Sequence, residues 1–432
     1  MVLAMWNFLL HNTPLLYLTQ SIWRDEAFSL LIAQRSPLDF IPKLVFEPPL
    51  YYLMLHVWMK LFGTGEIAAR SLSLVGFVLS TVVIIFWAEK LFRKHWLSWF
   101  LPVFFFFNPH LLYYAFEIRA YGWYIFFAVS SLYAYWEKKW PLYILATTLG
   151  IYTHTYMILV PAVQLIHHLI VQRKDGFLRA LPLITLLVSP WIAKVIVDFP
   201  KLQQSWYFPV DGNIIKSVLG NIFIGYEGTP ADLWQFTARL SFIFILITIA
   251  SLWSQKNRPR NSFFAYMIFI PLGIILGISF YIPLFVNRYF IPVVIAQVFL
   301  VVFAIELIKN KIFQKIAATV VLLFVLGFNV WYPNHHPKKN IRAVVYEVQK
   351  LAGVHDVILV DSPLILFETL YYASDPSRVF WYNPQGNPFP WYIGDIAFLP
   401  SQVVREVPPY PFRAFIIHRN STFEITYNTA LP

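Results

Sequence analysis

The chain has 432 residues, of which 58% are hydrophobic and only 13% are charged, and its mean hydropathy is +0.59. Soluble domains are about 25% charged, so this composition excludes a water-soluble globular protein. The absence of cysteine excludes disulfides and thiolate catalysis. The net charge of +11 could suit a nucleic-acid partner, but most lysines and arginines stand in short clusters between apolar runs, which indicates a membrane protein instead.

Apolar stretches near the length of about 20 residues that crosses a bilayer recur along the chain and predict about eleven transmembrane helices. The predicted spans are residues 2–20, 66–88, 96–114, 121–136, 140–153, 155–171, 179–197, 233–253, 262–285, 289–308 and 316–332. The first is irregular because Asn7, His11 and Asn12 interrupt it.

Basic clusters occupy alternate gaps between these spans and predict the topology. They are Lys90/Arg93/Lys94, Lys138/Lys139, Arg173/Lys174/Arg179, Lys256/Arg258/Arg260 and Lys309/Lys311/Lys315. The positive-inside rule places all of them in the cytoplasm. We therefore expect a multi-pass protein of the cell (inner or plasma) membrane with a cytoplasmic N-terminus. The gaps at 21–65, around Glu117 and Arg119, at His154, at 198–232 and at Arg288 then face outward.

The region 333–432 differs from the transmembrane domain predicted for 1–332. It is richer in charge and proline, with a buried strand predicted at 357–360, a helical run at 362–373 and a second strand at 412–417. We expect an all-α polytopic membrane protein with a small extracytoplasmic α/β domain. That domain has no glycine-rich phosphate loop and no metal-ligand spacing, so the sequence assigns it no catalytic role.

The first outward loop, 21–65, contains the acidic pair Asp25 and Glu26. Phe28, Ile32 and Arg35 recur at helical spacing, which predicts a helix lying in the membrane interface. The two acids then occupy its first turn, where the helix dipole favours carboxylates. Successive helical residues point about 100° apart, so one acid would face a reaction and the other would support it. The pair could also simply cap a surface helix.

Two more outward elements carry ionisable residues. Glu47 precedes Pro48-Pro49, and Pro49 suits the first turn of a helix. Farther along, Glu117, Arg119 and Tyr121 point the same way if their turn is extended, whereas a helical turn pairs Glu117 with Tyr121. An ordinary interfacial ion pair would explain the Glu117–Arg119 spacing equally well.

These motifs, in this order, resemble the bacterial branch of the GT-C superfamily, namely the protein O-mannosyltransferase-like enzymes related to the lipid A aminoarabinose transferases. The resemblance covers roughly residues 15–310. The motifs are Trp23-Arg24-Asp25-Glu26-Ala27, Glu47-Pro48-Pro49-Leu50-Tyr51-Tyr52, Leu61-Phe62-Gly63 before Arg70, Glu117-Ile118-Arg119-Ala120-Tyr121, Tyr152-Thr153-His154 and Arg288-Tyr289-Phe290. Glu47 departs from the pattern, because many relatives carry Asp or His there.

The resemblance implies transfer of a sugar, with inversion, from a polyprenyl-phosphate donor in the bilayer to an acceptor on the outer face. The acceptor could be a protein, a glycolipid or a glycan. Asp25 would be the general base and Glu26 its orienting neighbour. Arginine matches phosphate geometry bidentately, so Arg119 and Arg288 would bind the donor phosphate. Glu47, Glu117, Tyr121, His154 and Tyr289 would contact donor phosphate or sugar, although His154 could be an interface residue and the tyrosines part of an aromatic belt.

Other chemistries stay open at this point. A divalent metal between Asp25 and Glu117 is chemically reasonable, but the resemblance implies no metal and no other cofactor. A covalent glycosyl-enzyme is also possible. The main rival is a transporter or flippase of lipid-linked sugars, which would place ionisable groups within its spans. A ligase or polymerase using lipid-linked glycans and a non-catalytic scaffold are further alternatives.

Overall fold

The computed structural model describes residues 10, 12–172, 175–204, 209–225, 231–255, 257–335 and 337–429. Residues 2–9 and 11 of the predicted first span, 2–20, lie outside these ranges, as do Arg173, Lys174 and Lys256 of the predicted basic clusters. Within them the chain forms two compact units. One comprises residues 1–44, 52–70 and 334–432, and is called the first unit here; the second unit comprises 45–51 and 71–333.

Helices dominate the described residues. They are α1 (Leu16–Thr19), α2 (Arg24–Ala33), α3 (Pro37–Phe40), α4 (Pro49–Phe62), α5 (Glu66–Phe92), α6 (Leu97–Phe106), α7 (Pro109–Ala115), α8 (Tyr121–Trp136), α9 (Trp140–Ile151), α10 (Leu159–Val171), α11 (Phe177–Asp198), α12 (Gly212–Ile224), α13 (Ala231–Trp253), α14 (Arg258–Ser279), α15 (Ile291–Glu306), α16 (Lys311–His335), α17 (Ile341–Leu351), α18 (Leu366–Tyr372) and α19 (Trp391–Gly394). Short 3-10 turns lie at Ile41–Lys43, Thr155–Ile158, Phe199–Gln204, Asn287–Phe290, Pro363–Ile365, Pro376–Arg378 and Pro400–Gln402.

Long apolar helices confirm the prediction of a polytopic membrane protein. Among the described residues, six helices are long and apolar enough to cross a membrane: Glu66–Phe92, Phe177–Lys201, Leu233–Trp253, Arg258–Ser279, Asn287–Glu306 and Lys311–Pro333. Each overlaps a predicted span. Shorter apolar helices at Trp140–Ile151 and Thr155–Val171 match two further predicted spans.

The structure differs from the predicted elements in two places. The span predicted at 96–114 is two helices, because Asn108 accepts a hydrogen bond from the Leu111 amide (3.1 Å) and Pro109 starts a new helix. The loop predicted at 198–232 contains the apolar helix α12, capped by Asp211 on the Ile214 amide (2.8 Å). At 13 residues α12 is shorter than a membrane span, so a rule based on spanning length passes over it.

Close helix packing within the second unit sets the backbone of the candidate site. A Cβ on Gly122 would lie 1.9 Å from the Ser73 carbonyl oxygen, and one on Gly76 would lie 2.8 Å from the Gly122 backbone. Only glycine permits this approach of α5 and α8. The contact brings Ser73 against the turn that precedes α8, which carries Glu117 and Arg119.

The C-terminal region contains a five-stranded sheet in the order β3-β2-β1-β4-β5. The strands are β1 (Val357–Val360), β2 (Val379–Tyr382), β3 (Val403–Val404), β4 (Ala414–Ile417) and β5 (Phe423–Thr426). Strands β3, β2, β1 and β4 run parallel to one another, and the edge strand β5 runs antiparallel to β4. Strand β1 confirms the strand predicted at 357–360, and β4 lies within the one predicted at 412–417. The helical run predicted at 362–373 is a 3-10 turn followed by α18.

Candidate functional site

Arg119 of the second unit is held by its side chain and its backbone. Its Nη2 lies 2.5 Å from Oε1 of Glu47. Its carbonyl oxygen accepts a hydrogen bond from Ser73 Oγ (2.9 Å), and Ser73 Oγ in turn lies 3.0 Å from the Tyr51 hydroxyl. Residues 117–120 are not helical, and α8 begins at Tyr121. These contacts hold the Arg119 backbone in place and pair its guanidinium with Glu47.

The segment that carries Glu47 is tied to the turn that carries His154. The Leu50 amide donates to the Tyr152 carbonyl (3.0 Å), and Thr155 Oγ1 donates to the Phe46 carbonyl (2.9 Å). The diproline therefore works as the sequence predicts, with Pro49 in the first turn of α4. Glu47, just ahead of that turn, is partly exposed and can reach Arg119.

His154 lies among tyrosine rings. It stacks on Tyr124 with ring centroids 4.4 Å apart and planes 3° from parallel, and its ring is 4.9 Å from that of Tyr289 and 5.9 Å from that of Tyr121. Its Nδ1 accepts from the Tyr156 amide (3.2 Å), which leaves the proton of the neutral ring on Nε2. Burial, followed by the positive charges of Arg119 and Arg288, lowers the pKa of His154 to about 3. The ring is a neutral hydrogen-bond donor at physiological pH.

Arg288 and Tyr289 lie on the 3-10 turn Asn287–Phe290, which two tyrosines anchor. The Tyr124 hydroxyl donates to the Tyr289 carbonyl (3.2 Å), and the Tyr156 hydroxyl donates to the Leu284 carbonyl (2.6 Å). The Arg288 guanidinium lies 5.6 Å from the Tyr289 ring centroid, and the residue is only 3% exposed. A buried cation in such a place favours an anionic ligand.

Tyr121 joins the two arginines into one cluster. Arg288, Arg119, Tyr289 and Glu117 all act electrostatically on its side chain. Its hydroxyl is buried and has no hydrogen-bond partner among the described residues. We call the seven residues of this part of the second unit the arginine cluster: Glu47, Glu117, Arg119, Tyr121, His154, Arg288 and Tyr289. With two guanidiniums, a neutral imidazole and an unsatisfied hydroxyl, it offers the donors that a phosphate requires.

Asp25 and Glu26 belong to the first unit and occupy the first turn of α2, as the sequence predicts. Asp25 Oδ1 lies 2.9 Å from Arg24 Nε, and its side chain is 12% exposed. Glu26 is fully buried, and Arg70 grips it with two hydrogen bonds, Nε to Oε1 and Nη2 to Oε2, both 2.8 Å. Lys338 Nζ adds a third contact at 3.1 Å.

Arg70 is a candidate site residue that entered the sequence analysis only as part of a motif. Besides holding Glu26, its Nη1 donates to the carbonyls of Leu18 (2.9 Å) and Gln20 (2.8 Å). Glu26 Oε2 also accepts from the Trp23 amide (3.3 Å), which closes the start of α2. The helical offset of Asp25 and Glu26 could indicate two separate roles, but nothing in the sequence identifies Arg70 or Lys338 as the partners.

Tyr124 and Tyr156 are further candidate site residues, which the sequence analysis does not name. Tyr124 is three residues after Tyr121 and thus on the same helical face, and Tyr156 follows His154 by two positions. Once His154 is a candidate, this spacing could have pointed to both tyrosines.

No group of three or more metal-ligating side chains occurs among the described residues.

The apolar helices and the small C-terminal sheet define a polytopic membrane protein with a small C-terminal α/β region. Two solved structures share this fold with the chain, and both are of ArnT from Cupriavidus metallidurans. The apo structure is 15% identical, with a TM-score of 0.61 over 93% of this chain and 91% of ArnT. The structure bound to undecaprenyl phosphate is 14% identical, with a TM-score of 0.60 over 96% and 91%. No family model matches the chain, and no curated protein matches it by sequence.

Proposed function

We propose that this protein is a membrane glycosyltransferase that takes a sugar from a polyprenyl-phosphate donor and passes it to an acceptor on the extracytoplasmic face. The observation that carries the proposal is the arginine cluster, in which Arg119 and Arg288 both act on His154 and Tyr121. The fold adds support, since ArnT, a protein of the same fold, has been solved with undecaprenyl phosphate bound.

The arginine cluster suits a leaving group that is a lipid phosphate. As the bond between the anomeric carbon and the phosphate oxygen breaks, the oxygen keeps the electron pair and gains negative charge. Preorganised guanidiniums stabilise such charge in the transition state. In this proposal Arg119 and Arg288 bind the phosphate, while the Nε2 proton of His154 and the hydroxyls of Tyr121 and Tyr289 donate to its oxygens or to the sugar.

Asp25 is the proposed general base. It accepts the proton of the acceptor hydroxyl as the acceptor oxygen attacks the anomeric carbon, and direct displacement inverts that centre. A positioned carboxylate contributes about 10²–10⁴-fold to such a step. Glu26 is fully buried in its pairs with Arg70 and Lys338, so we assign it the supporting part of the predicted pair, fixing the first turn of α2.

Turnover by the purified protein in liposomes tests the proposal. A panel of polyprenyl-phosphate sugars is offered together with protein, glycolipid and glycan acceptors, and the products are followed by mass spectrometry. We expect sugar transfer with at least one donor, and loss of transfer when Arg288 is replaced by glutamine. Movement of intact lipid-linked sugar between the leaflets without any transfer would contradict the proposal and favour a transporter.

A further inference from the structure

Two different glutamates lie close to the backbone amides at the start of α2. The Trp23 amide donates to Glu26 from within the same turn (3.3 Å). The Arg24 amide, one position later, faces the side-chain carboxyl of Glu368 in the C-terminal region. The first amides of a helix have no partner within the helix, so a carboxyl group from outside the helix can accept from them and stabilise the turn. Asp25 is the next residue along this turn.

Glu368 is an unusual residue to find there. It is only 7% exposed, and its Oε2 makes no hydrogen bond to any described residue. It lies on α18, which packs against α2 with the rings of Phe367 and Phe28 6.2 Å apart. Leaving a buried carboxyl oxygen without a hydrogen bond costs about 1–3 kcal/mol or more of folding free energy. Stability alone therefore does not explain a glutamate at this position.

The charged groups around Glu368 link it to Asp25. They are Arg24 and Asp25 from α2 and Lys339 from the segment before α17. Burial, opposed by Arg24, raises the pKa of Glu368 to about 8. The Nε of Arg24 is 2.9 Å from Asp25 Oδ1. A series of neighbouring polar groups therefore links the Glu368 carboxyl, through the Arg24 backbone and guanidinium, to the Asp25 carboxylate.

We propose that Glu368 is a positioning residue for Asp25, holding from the C-terminal region the helical turn and the arginine that orient the general base. The inference rests on the proposed function, because it takes Asp25 to be the base. It also gives the C-terminal region a part in the reaction, although its sequence assigns it none. While Glu368 is neutral, Arg24 pairs with Asp25. Once Glu368 ionises, it competes with Asp25 for Arg24 and weakens that pair.

The first test compares pH profiles of transfer for the full-length protein in liposomes. For the wild type we expect kcat to fall as Glu368 ionises near pH 8. Glu368→Gln, which stays neutral, should keep kcat near pH 7 within about twofold and lose this alkaline fall. Glu368→Leu should lower kcat about tenfold and change the donor KM less than twofold. Glu347→Gln, an exposed glutamate on α17, is the matched control.

Hydrogen exchange of residues 21–33, followed by mass spectrometry, is the second test and needs no turnover. Exchange in this peptide should be faster in Glu368→Leu than in the wild type and unchanged in Glu347→Gln. Equal exchange in Glu368→Leu and the wild type would overturn the proposal, even for an enzyme whose donor is unknown. An unchanged pH profile in an active Glu368→Gln variant would also overturn it. Absence of transfer by the wild type with every donor, despite the exchange difference, would instead count against the proposed function.

Discussion

Glu47 Oε1 lies 2.5 Å from Arg119 Nη2, although the two residues are 72 positions apart in the chain. The carboxylate is partly exposed, whereas the Arg119 side chain is 10% exposed. Glu47 thus pairs with the guanidinium of Arg119, which we propose binds the donor phosphate. A carboxylate and a phosphate compete for the same bidentate donor, so the phosphate must displace or share this counterion.

The first prediction concerns that competition. Glu47→Gln removes the competing charge, and we expect the apparent KM for the polyprenyl-phosphate donor to fall about fivefold, roughly 1 kcal/mol for a partly exposed pair. The measurement is initial-rate kinetics over donor concentration. Glu89→Gln, an exposed glutamate elsewhere on α5, controls for the change in net charge. A rise in donor KM would instead make Glu47 a direct ligand of the donor.

The second prediction separates charge from geometry at the donor phosphate. Arg119→Lys and Arg288→Lys each keep the positive charge but lose the planar fork of the guanidinium. We expect kcat to fall about 10- to 100-fold in each, because the lost contact acts on charge that develops in the transition state. Arg258→Lys, at an exposed position on α14, is the control. A wild-type kcat in both variants would contradict the proposal that these arginines stabilise the leaving phosphate.

The third prediction concerns the buried pair of Glu26 and Arg70. Glu26→Gln leaves the Arg70 charge without its bidentate partner, and breaking a buried pair in this way costs about 3–5 kcal/mol. We expect a clear fall in the thermal unfolding midpoint in detergent. The double variant Glu26→Gln, Arg70→Met should recover part of the loss. If Glu26→Gln instead unfolded like the wild type while losing all transfer, Glu26 would have a catalytic role.

These outcomes bear on what could be predicted from the sequence. Apolar runs predicted most of the helices, because spanning length and hydrophobicity are local properties. Helical periodicity likewise placed Asp25 and Glu26 in one first turn. The partners of these residues could not be predicted: Arg70 for Glu26, Glu47 for Arg119 and Glu368 for the Arg24 amide all come from distant parts of the chain. Helix α12 was not predicted because it is too short to span a membrane.

The turn before α8 is an intermediate case. The sequence left the stretch from Glu117 to Tyr121 either extended or helical, since its spacing suits both. In the structure residues 117–120 are not helical, and the close approach of α5 at Gly122 lets Ser73 donate to the Arg119 carbonyl. A glycine near the start of a helix, such as Gly122, predicts a close helix contact only when the helix that packs against it is known.

The fourth prediction is the pH dependence that follows from His154. Its pKa is lowered to about 3 in the folded protein, below the unfolded value near 6.5. The unfolded chain therefore binds the additional proton between these values, and the contribution of His154 to stability is present above pH 6.5 and is lost as the pH falls towards 3. We expect unfolding midpoints measured from pH 7 to pH 4 to fall less steeply in His154→Asn than in the wild type. Parallel curves would mean that the pKa of His154 is not lowered in the folded protein.

The central claim is that Asp25 serves as general base in sugar transfer from a polyprenyl-phosphate donor. The most direct test is single-turnover transfer by the wild type and by Asp25→Asn in liposomes, with donor binding measured on the same samples. We predict that Asp25→Asn binds the donor like the wild type but transfers sugar at least about 100-fold more slowly. Transfer by Asp25→Asn at the wild-type rate would contradict the account.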